Sequence, residues 1–566
     1  MCQWRHFLFS IIFIVLSSLS VSSVAAKVLL TGTVYEHAKY GAVATVNPLA
    51  TKAAASELEQ GGNAIDAVIA AALTLGVVDS YNSGIGGGLF ALVHWADGRV
   101  EAIDGREMAP AKAHRDMYLR KGKAVSELSK TGPMAVGIPG SVAAFDYLSK
   151  KGGKKPIADI YLKAAGLAED GFALSPEYAK RLQRHTKTLA RFPATASIFL
   201  NKGVPWEAGH RLVQLDLAST YRALAKQGPD YFYQGKYAAQ LVDWMKANGG
   251  LISFADMANY QLKFRQPIKS AFYGYTVYGF PPPSSGGAHV AQLLNMVEQL
   301  DLKEKGTDER NHLLAEAMKL AFADRAYWLG DPDFTKVPTG LIDRQYTDAL
   351  AKRIDANQVT PVSAHSTPVD ADDRWFNKHT THIAVADRWG NWVAITTTLN
   401  TSFGSKVVIP GTGVLLNNQM DDFSAQPGVP NAYGLVGSEA NNIQAGKRPL
   451  SSMSPTIVVK NDQPVMTIGA AGGPMIITQV TQGIIRHLLY NQSLFDALAS
   501  PRIHQQWKPD ILFHDKTLPE DQRKSLATQG HALKVLRFEG STNAISIKHG
   551  QYDAVSEPRL VERNQK

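Results

Sequence analysis

Apolar residues fall into two rhythms along this chain, and the switches between them predict its elements. From Leu49 to Gln60 an alanine-rich helical spacing runs into Gly61-Gly62, a helix end, and Asn63 then caps a second helical stretch from Ala64 to Val78. Small residues on two adjacent helices predict close packing onto another layer. The rhythm then shortens to two: Leu89 to Trp95 and Arg99 to Asp104 flank an Asp97-Gly98 turn as a hairpin, with Arg106 just past its second strand. Residues 110 to 270 read as mainly helical, and the rigid loop Pro281 to Gly287 opens a helix from about Ala288 to Leu300. Between Lys352 and Asn377 polar residues replace any periodicity, which predicts an exposed segment. Alternation resumes over Thr381 to Ala386, turns through Asp387 to Asn391 and returns as Trp392 to Thr398. A further hairpin, Ser454 to Lys460 with Pro464 to Ile468, leads into Gly469-Ala470-Ala471-Gly472-Gly473-Pro474, after which Met475 to Tyr490 reads as a helix. No internal repeat is present.

Composition narrows the class. With 45% hydrophobic and 19% charged residues in 566, the chain has enough apolar residues for more than one core. Its formal charge of +9 is spread along the sequence, and the short run Lys150-Lys151 with Lys154-Lys155 reads as a solvated loop, so nothing points to nucleic acid. Residues 1–26 carry Arg5, an apolar run from Phe7 to Leu16 and small residues ending Val24-Ala25-Ala26, the layout of a secretory signal peptide. Export to a bacterial periplasm or exterior is therefore expected, with no stable membrane span after signal removal. The single cysteine, Cys2, lies inside that leader, which removes disulfides, thiol nucleophiles and thiolate metal sites from the mature chain.

Chemistry is sparse elsewhere. There is no His-Glu-x-x-His and no Gly-x-Ser-x-Gly, the histidines show no metal-ligand spacing, and the cluster Gly84 to Gly88 lacks the Lys-Ser/Thr ending of a phosphate loop. Close backbone packing is the reading for that cluster. His379-Thr380-Thr381-His382 heads a strand; cleavage before Thr380 would give one residue both a hydroxyl nucleophile and an α-amine base of pKa roughly 7.7 to 8.0. Ordinary strand propensity is the alternative for a Thr-Thr pair. Asn400 and the stretch Asn417 to Phe423, with Gln419 and Asp422, gather amide and carboxylate oxygens that suit an ammonium or simply form an acidic turn. Ser451 and Ser452 offer two hydroxyls. Gly472-Gly473, at a helix start, offers backbone amides for an anion or tight strand-to-helix packing.

Taken together, Gly61 to Ala64, Arg106 to Pro110, Pro281 to Gly287, Gly330 to Phe334, Thr380 to His382, Asn417 to Phe423, Pro449 to Pro455 and Gly472-Gly473 give the chain its resemblance to the gamma-glutamyltransferases (gamma-glutamyltranspeptidases), members of the N-terminal nucleophile hydrolases. That resemblance implies an α+β fold, a four-layer αββα sandwich, and self-cleavage between His379 and Thr380 into a large subunit, 27–379, and a small one, 380–566, which stay together as a heterodimer. It implies Thr380 as nucleophile, Thr398 as its support, Gly472 and Gly473 as oxyanion donors, and no cofactor or metal. Arg106, Ser451 and Ser452 are expected to hold the substrate α-carboxylate, and Asn400, Gln419 and Asp422 its α-amine, with Tyr433 in a lid over Gln426 to Gly446. Expected donors are glutathione and other γ-glutamyl compounds; expected acceptors are water, amino acids and dipeptides. His379 and Pro474 depart from residues found in some relatives. A cephalosporin or glutaryl acylase on the same scaffold is the rival, and a non-catalytic binding protein with the same pocket a more distant one.

Overall fold

The computed structural model describes residues 34–368, 381–426, 439–536 and 540–560. His379, Thr380 and Tyr433 lie outside the described residues.

Two antiparallel sheets are built from strands far apart in sequence. The first has seven strands in the order Val34–His37, Gly41–Ala44, Thr381–Asp387, Trp392–Thr398, Gly88–His94, Val100–Gly105 and Lys263–Arg265. The second has six: Ile268–Phe272, Tyr275–Gly279, Thr456–Lys460, Gln463–Ala471, Ser541–Lys548 and Gln551–Val555. Alternation along each strand sorts side chains between two faces. In the first sheet Val43, Ile383, Val385, Val393 and Ile395 face a helical core, while Ala42, Ala44, Ala384, Ala386 and Ala394 face the second sheet. Ile457 and Ile545 meet them there, while Val458, Met466 and Ile468 turn away into the core formed with the second helical layer. The alanine-rich inner faces let the sheets approach, and Phe90 stacks on Phe280 across the gap with ring centroids 4.2 Å apart.

Helices Pro48–Glu59 and Ala64–Val78 pack on the first sheet. Asn63 caps the second of these by accepting from the Ile65 and Asp66 amides, and Asp66 returns a bond to the Asn63 amide. Helices Gly286–Gln299, Thr307–Trp328 and Met475–Ile484 cover the second sheet. The four-layer αββα order expected from the resemblance is thus present.

Several expectations needed correction. The helix after the diglycine is α-helical only to Ile484 and continues as a π-helix from Ile485 to Leu489. The strand expected to stop at Ile468 runs on to Ala471. The stretch read as mainly helical ends in strands, Lys263–Arg265 and Ile268–Phe272, which close one edge of each sheet.

At the sheet interface Gly469 faces His382. A Cβ on Gly469 would lie against the His382 imidazole, which is fully buried, bonded through Nδ1 to Thr396 Oγ1 at 3.0 Å, and held neutral because burial pulls its pKa to about 3. Gly469→Ala is therefore expected to lower the stability of the fold by about 1–3 kcal/mol through overpacking, read from the denaturant midpoint. An unchanged midpoint would mean that the ring has room to move.

Candidate active site

The ends of the two sheets and the loops leaving them converge on one region. Thr381 begins its strand paired with Thr397, and Thr398 is the next residue on that partner strand. Thr398 Oγ1 accepts from the Asn400 amide at 2.7 Å, which holds Asn400 with a φ of 78° just beyond the strand. Asn400 Nδ2 then donates to the Asn418 carbonyl at 3.0 Å. The neighbouring glycines allow this closeness: a Cβ on Gly87 would collide with the Thr398 carbonyl, and one on Gly86 with that of Leu415. Close packing is the role the cluster plays.

Arg106 enters from the end of strand Val100–Gly105 and is fully buried. Its Nη2 donates to Asp422 Oδ2 at 2.6 Å and to the Leu450 carbonyl at 3.2 Å, and its Nε donates to the Pro449 carbonyl at 3.1 Å. Asp422 ends the 3₁₀ turn Gln419–Asp422 and also accepts from Gln419 Nε2. Asn441 ties the same turn to the serine loop, donating to the Asp422 carbonyl at 2.6 Å and accepting from the Leu450 amide at 3.1 Å. Arg106, Gln419, Asp422, Ser451 and Ser452 are thus brought together with no exposure.

The hydrogen-bond balance of this group is uneven. Ser451 Oγ accepts from the Met453 amide at 3.1 Å and Ser452 Oγ from Arg325 Nη2 at 2.8 Å, but among the described residues neither hydroxyl proton has an acceptor. Arg106 Nη1 likewise lacks one, its nearest anion being Glu107 Oε2 at 3.6 Å. Gln419 Oε1, an acceptor, has no donor among the described residues. Buried polar atoms left in this state cost about 1–3 kcal/mol each, so the arrangement is suited to a ligand that is an anion at one end and a donor at the other.

Behind the site, Arg448 donates to the Asp104 carbonyl at 2.6 Å and the Gln261 carbonyl at 2.5 Å, and its amide donates to Asp331 Oδ2 at 2.8 Å. Arg265 pairs with Asp104 at 3.1 Å and Asp333 at 2.7 Å. This brace joins the hairpin that carries Arg106 to the loop that carries the serines. Arg325, on helix Thr307–Trp328, was missed by sequence reasoning, although a charged Asp324-Arg325 pair inside an otherwise apolar turn is a usable signal. Burial pulls its guanidinium down to about 9, opposed by the charge of Asp422.

Gly472 and Gly473 follow strand Gln463–Ala471 with φ values of 129° and 65°, conformations that favour glycine. Among the described residues neither amide has a hydrogen-bond acceptor. Gly472, Thr381 and Asn400 also line a cavity of about 770 Å³, together with Asp79, Tyr81, Arg181 and His185.

Residues 50–565 match the gamma-glutamyltranspeptidase family. The glutathione hydrolase proenzyme of Escherichia coli (strain K12) is 42% identical over 531 residues, which cover 93% of this chain and 91% of that one. Among solved structures, cephalosporin acylase from Bacillus halodurans superposes with a TM-score of 0.83 at 29% identity over 93% of this chain and 95% of that one. A chain of Helicobacter pylori gamma-glutamyltranspeptidase is 38% identical, with a TM-score of 0.55, and matches 56% of this chain and 93% of its own length. The fold and these matches together define an N-terminal nucleophile hydrolase. The chain belongs to the gamma-glutamyltranspeptidase family.

Asp79 offers a test of the cavity wall. Burial pushes its carboxyl up to about 6, against hydrogen bonds from Tyr81 and Asn82 and the charge of Arg181. The unfolded chain titrates at the ordinary value of 3.8, so the folded protein binds this proton more tightly. The stability it contributes is full below pH about 4 and is lost as pH climbs through about 6, by at most about 3 kcal/mol. Thermal unfolding between pH 4 and 7 should show that decline in the parent chain and a flatter profile in Asp79→Asn. Parallel profiles would refute the raised pKa.

Proposed function

We propose that this chain is a self-processing glutathione hydrolase and gamma-glutamyltransferase, exported to the periplasm or exterior, with water, amino acids or dipeptides as acceptors. The observation that carries this reading is the sealed group around Arg106 and Asp422, with unspent donors at Ser451, Ser452 and Arg106 Nη1 and an unspent acceptor at Gln419. The two ends of an α-amino acid match that imbalance. An α-carboxylate takes the serine protons and Arg106, and an α-ammonium takes Gln419, Asp422 and Asn400. Arg106 and Asp422 satisfy each other at rest, and a substrate zwitterion replaces one internal pair with two.

On this reading the backbone breaks between His379 and Thr380, giving subunits 27–379 and 380–566 that remain a heterodimer. The proenzyme name of the Escherichia coli relative supports processing. The freed Thr380 amine accepts the proton of its own hydroxyl as Oγ1 attacks the γ-carbonyl, and Thr398 supports that hydroxyl. The Gly472 and Gly473 amides stabilise the oxyanion. Collapse expels the leaving amine, which takes up the proton, and leaves a γ-glutamyl ester on Thr380. Water or an acceptor amine, entering through the cavity beside Thr381 and Gly472, then repeats the attack and releases the threonine. The stretch Gln426 to Gly446, with Tyr433, is the lid on this reading and favours transfer by limiting water.

The acylase reading has support in the likeness to cephalosporin acylase. It requires an acyl group without an ammonium beside Asp422, leaving that buried carboxylate poorly compensated. Two measurements decide. Mass spectrometry of the purified protein should find a new N-terminus at Thr380, and Thr380→Ala should abolish both cleavage and turnover. Release of p-nitroaniline should be at least about 100-fold faster from the γ-glutamyl than from the glutaryl derivative, with Asp422→Asn narrowing the gap. Equal or faster glutaryl turnover would favour the acylase.

A further inference from the structure

Arg325 reaches the serine pair by two routes. Its Nη2 donates directly to Ser452 Oγ at 2.8 Å. Its Nε donates to Ser285 Oγ at 2.9 Å, and Ser285 Oγ in turn donates to the Ser451 carbonyl at 2.8 Å. All four residues are buried, with Arg325 on a long helix of the outer layer and Ser285 in the rigid loop ahead of helix Gly286–Gln299. The Ser451 carbonyl also takes the Ser285 amide at 2.6 Å and Ser284 Oγ at 3.2 Å, so the loop bearing the hydroxyls is fixed from behind by donors.

A hydroxyl has one proton to place. With a guanidinium donating to its oxygen, the Ser452 proton turns away from the cation, since pointing it at Arg325 would set donor against donor. Ser451 is held the same way by the Met453 amide. We infer that Arg325 is a positioning residue that turns the Ser452 hydroxyl into a donor and, through Ser285, fixes the loop that carries Ser451, so that this end of the pocket presents donors to a carboxylate. Without Arg325 the Ser452 hydroxyl donates or accepts with equal ease and the Ser451 loop loses one of its anchors, so the site distinguishes a carboxylate from a neutral or donor group less sharply. Arg325 also adds a positive charge behind Ser452. It touches no substrate; it acts through the serines. The inference rests on the proposed γ-glutamyl reading and extends it to a residue outside the ligand shell.

The test compares three anilides on the matured enzyme: γ-glutamyl-p-nitroanilide, 4-aminobutyryl-p-nitroanilide, which lacks only the α-carboxylate, and glutaryl-p-nitroanilide, which lacks only the α-amine. In the parent enzyme removal of the carboxylate is expected to lower kcat/KM by about 100-fold or more, the effect of several charge-assisted hydrogen bonds. In Arg325→Met that penalty should shrink to about 10-fold or less, while the penalty for removing the amine persists; Arg325→Lys should fall between. A residue that merely holds the fold together would depress all three substrates in proportion and leave both ratios unchanged, which would overturn the inference. Should Arg325→Met fail to mature on a denaturing gel, Ser285→Ala cuts the relay to the Ser451 carbonyl and is expected to shrink the same ratio; an unchanged ratio there also overturns it. A parent enzyme that tolerates loss of the carboxylate would instead refute the underlying reading of the pocket.

Discussion

The ion pair between Arg106 and Asp422 is the constraint from which the site follows. Both side chains have no exposure, and their closest atoms are 2.6 Å apart. Burying two charges costs several kcal/mol per ion, and the attraction between them offsets it only when the remaining donors and acceptors are also engaged. For Nε and Nη2 of Arg106 that requirement is met by three distant stretches that converge here. The hairpin after Gly88 delivers Arg106, the 3₁₀ turn delivers Asp422 and Gln419, and the loop before Ser451 delivers the Pro449 and Leu450 carbonyls that take up the guanidinium. Removal of either charge would leave the other buried without its partner.

The sandwich makes such a convergence affordable in backbone terms. Loops leaving one end of both sheets meet because Gly86 and Gly87 allow the chain near Leu415 and Thr398 to lie against them. The brace of Arg448 and Arg265 with Asp104, Asp331 and Asp333 fixes the hairpin to the serine loop. Thr398 sits between the two halves of the arrangement: its hydroxyl holds Asn400, and Asn400 holds the Asn418 carbonyl at the head of the turn that carries Asp422. Position along one strand therefore couples the expected nucleophile end to the charge pair.

Local signals carried much of this into the sequence. The Asn63 cap, the Asp97-Gly98 hairpin and the pair Thr381–Asp387 with Trp392–Thr398 were legible because each depends on residues within about ten positions. Helix Thr307–Trp328 was not read, since it is buried from His312 to Arg325 on every side and so shows no polar stripe. Arg325 was missed with it. The order of the strands was equally hidden: Thr381–Asp387 lies between Gly41–Ala44 and Trp392–Thr398, and no local pattern specifies a neighbour more than 300 residues away. The proposed ligand residues were reached through whole strings shared with a family, whereas Asn441 and Arg325, which hydrogen-bond to the serine loop, stand in no such string.

The likeness to cephalosporin acylase shows how little the scaffold itself decides. Nearly the whole backbone is shared with a protein named for a different class of compound, so a shared scaffold leaves the choice of acyl group to the side chains that line the pocket. Selection has to come from charges that cannot relax. Asp422 is such a charge: Gln419 and Arg106 hold its Oδ2, and Asn441 holds its backbone carbonyl. A ligand that engages Arg106 with a carboxylate but brings no ammonium weakens the existing pair and offers Asp422 nothing in return. A zwitterion restores both partners. On the proposed reading the same geometry thus penalises half a substrate, and it does so without any group that must first recognise the leaving amine.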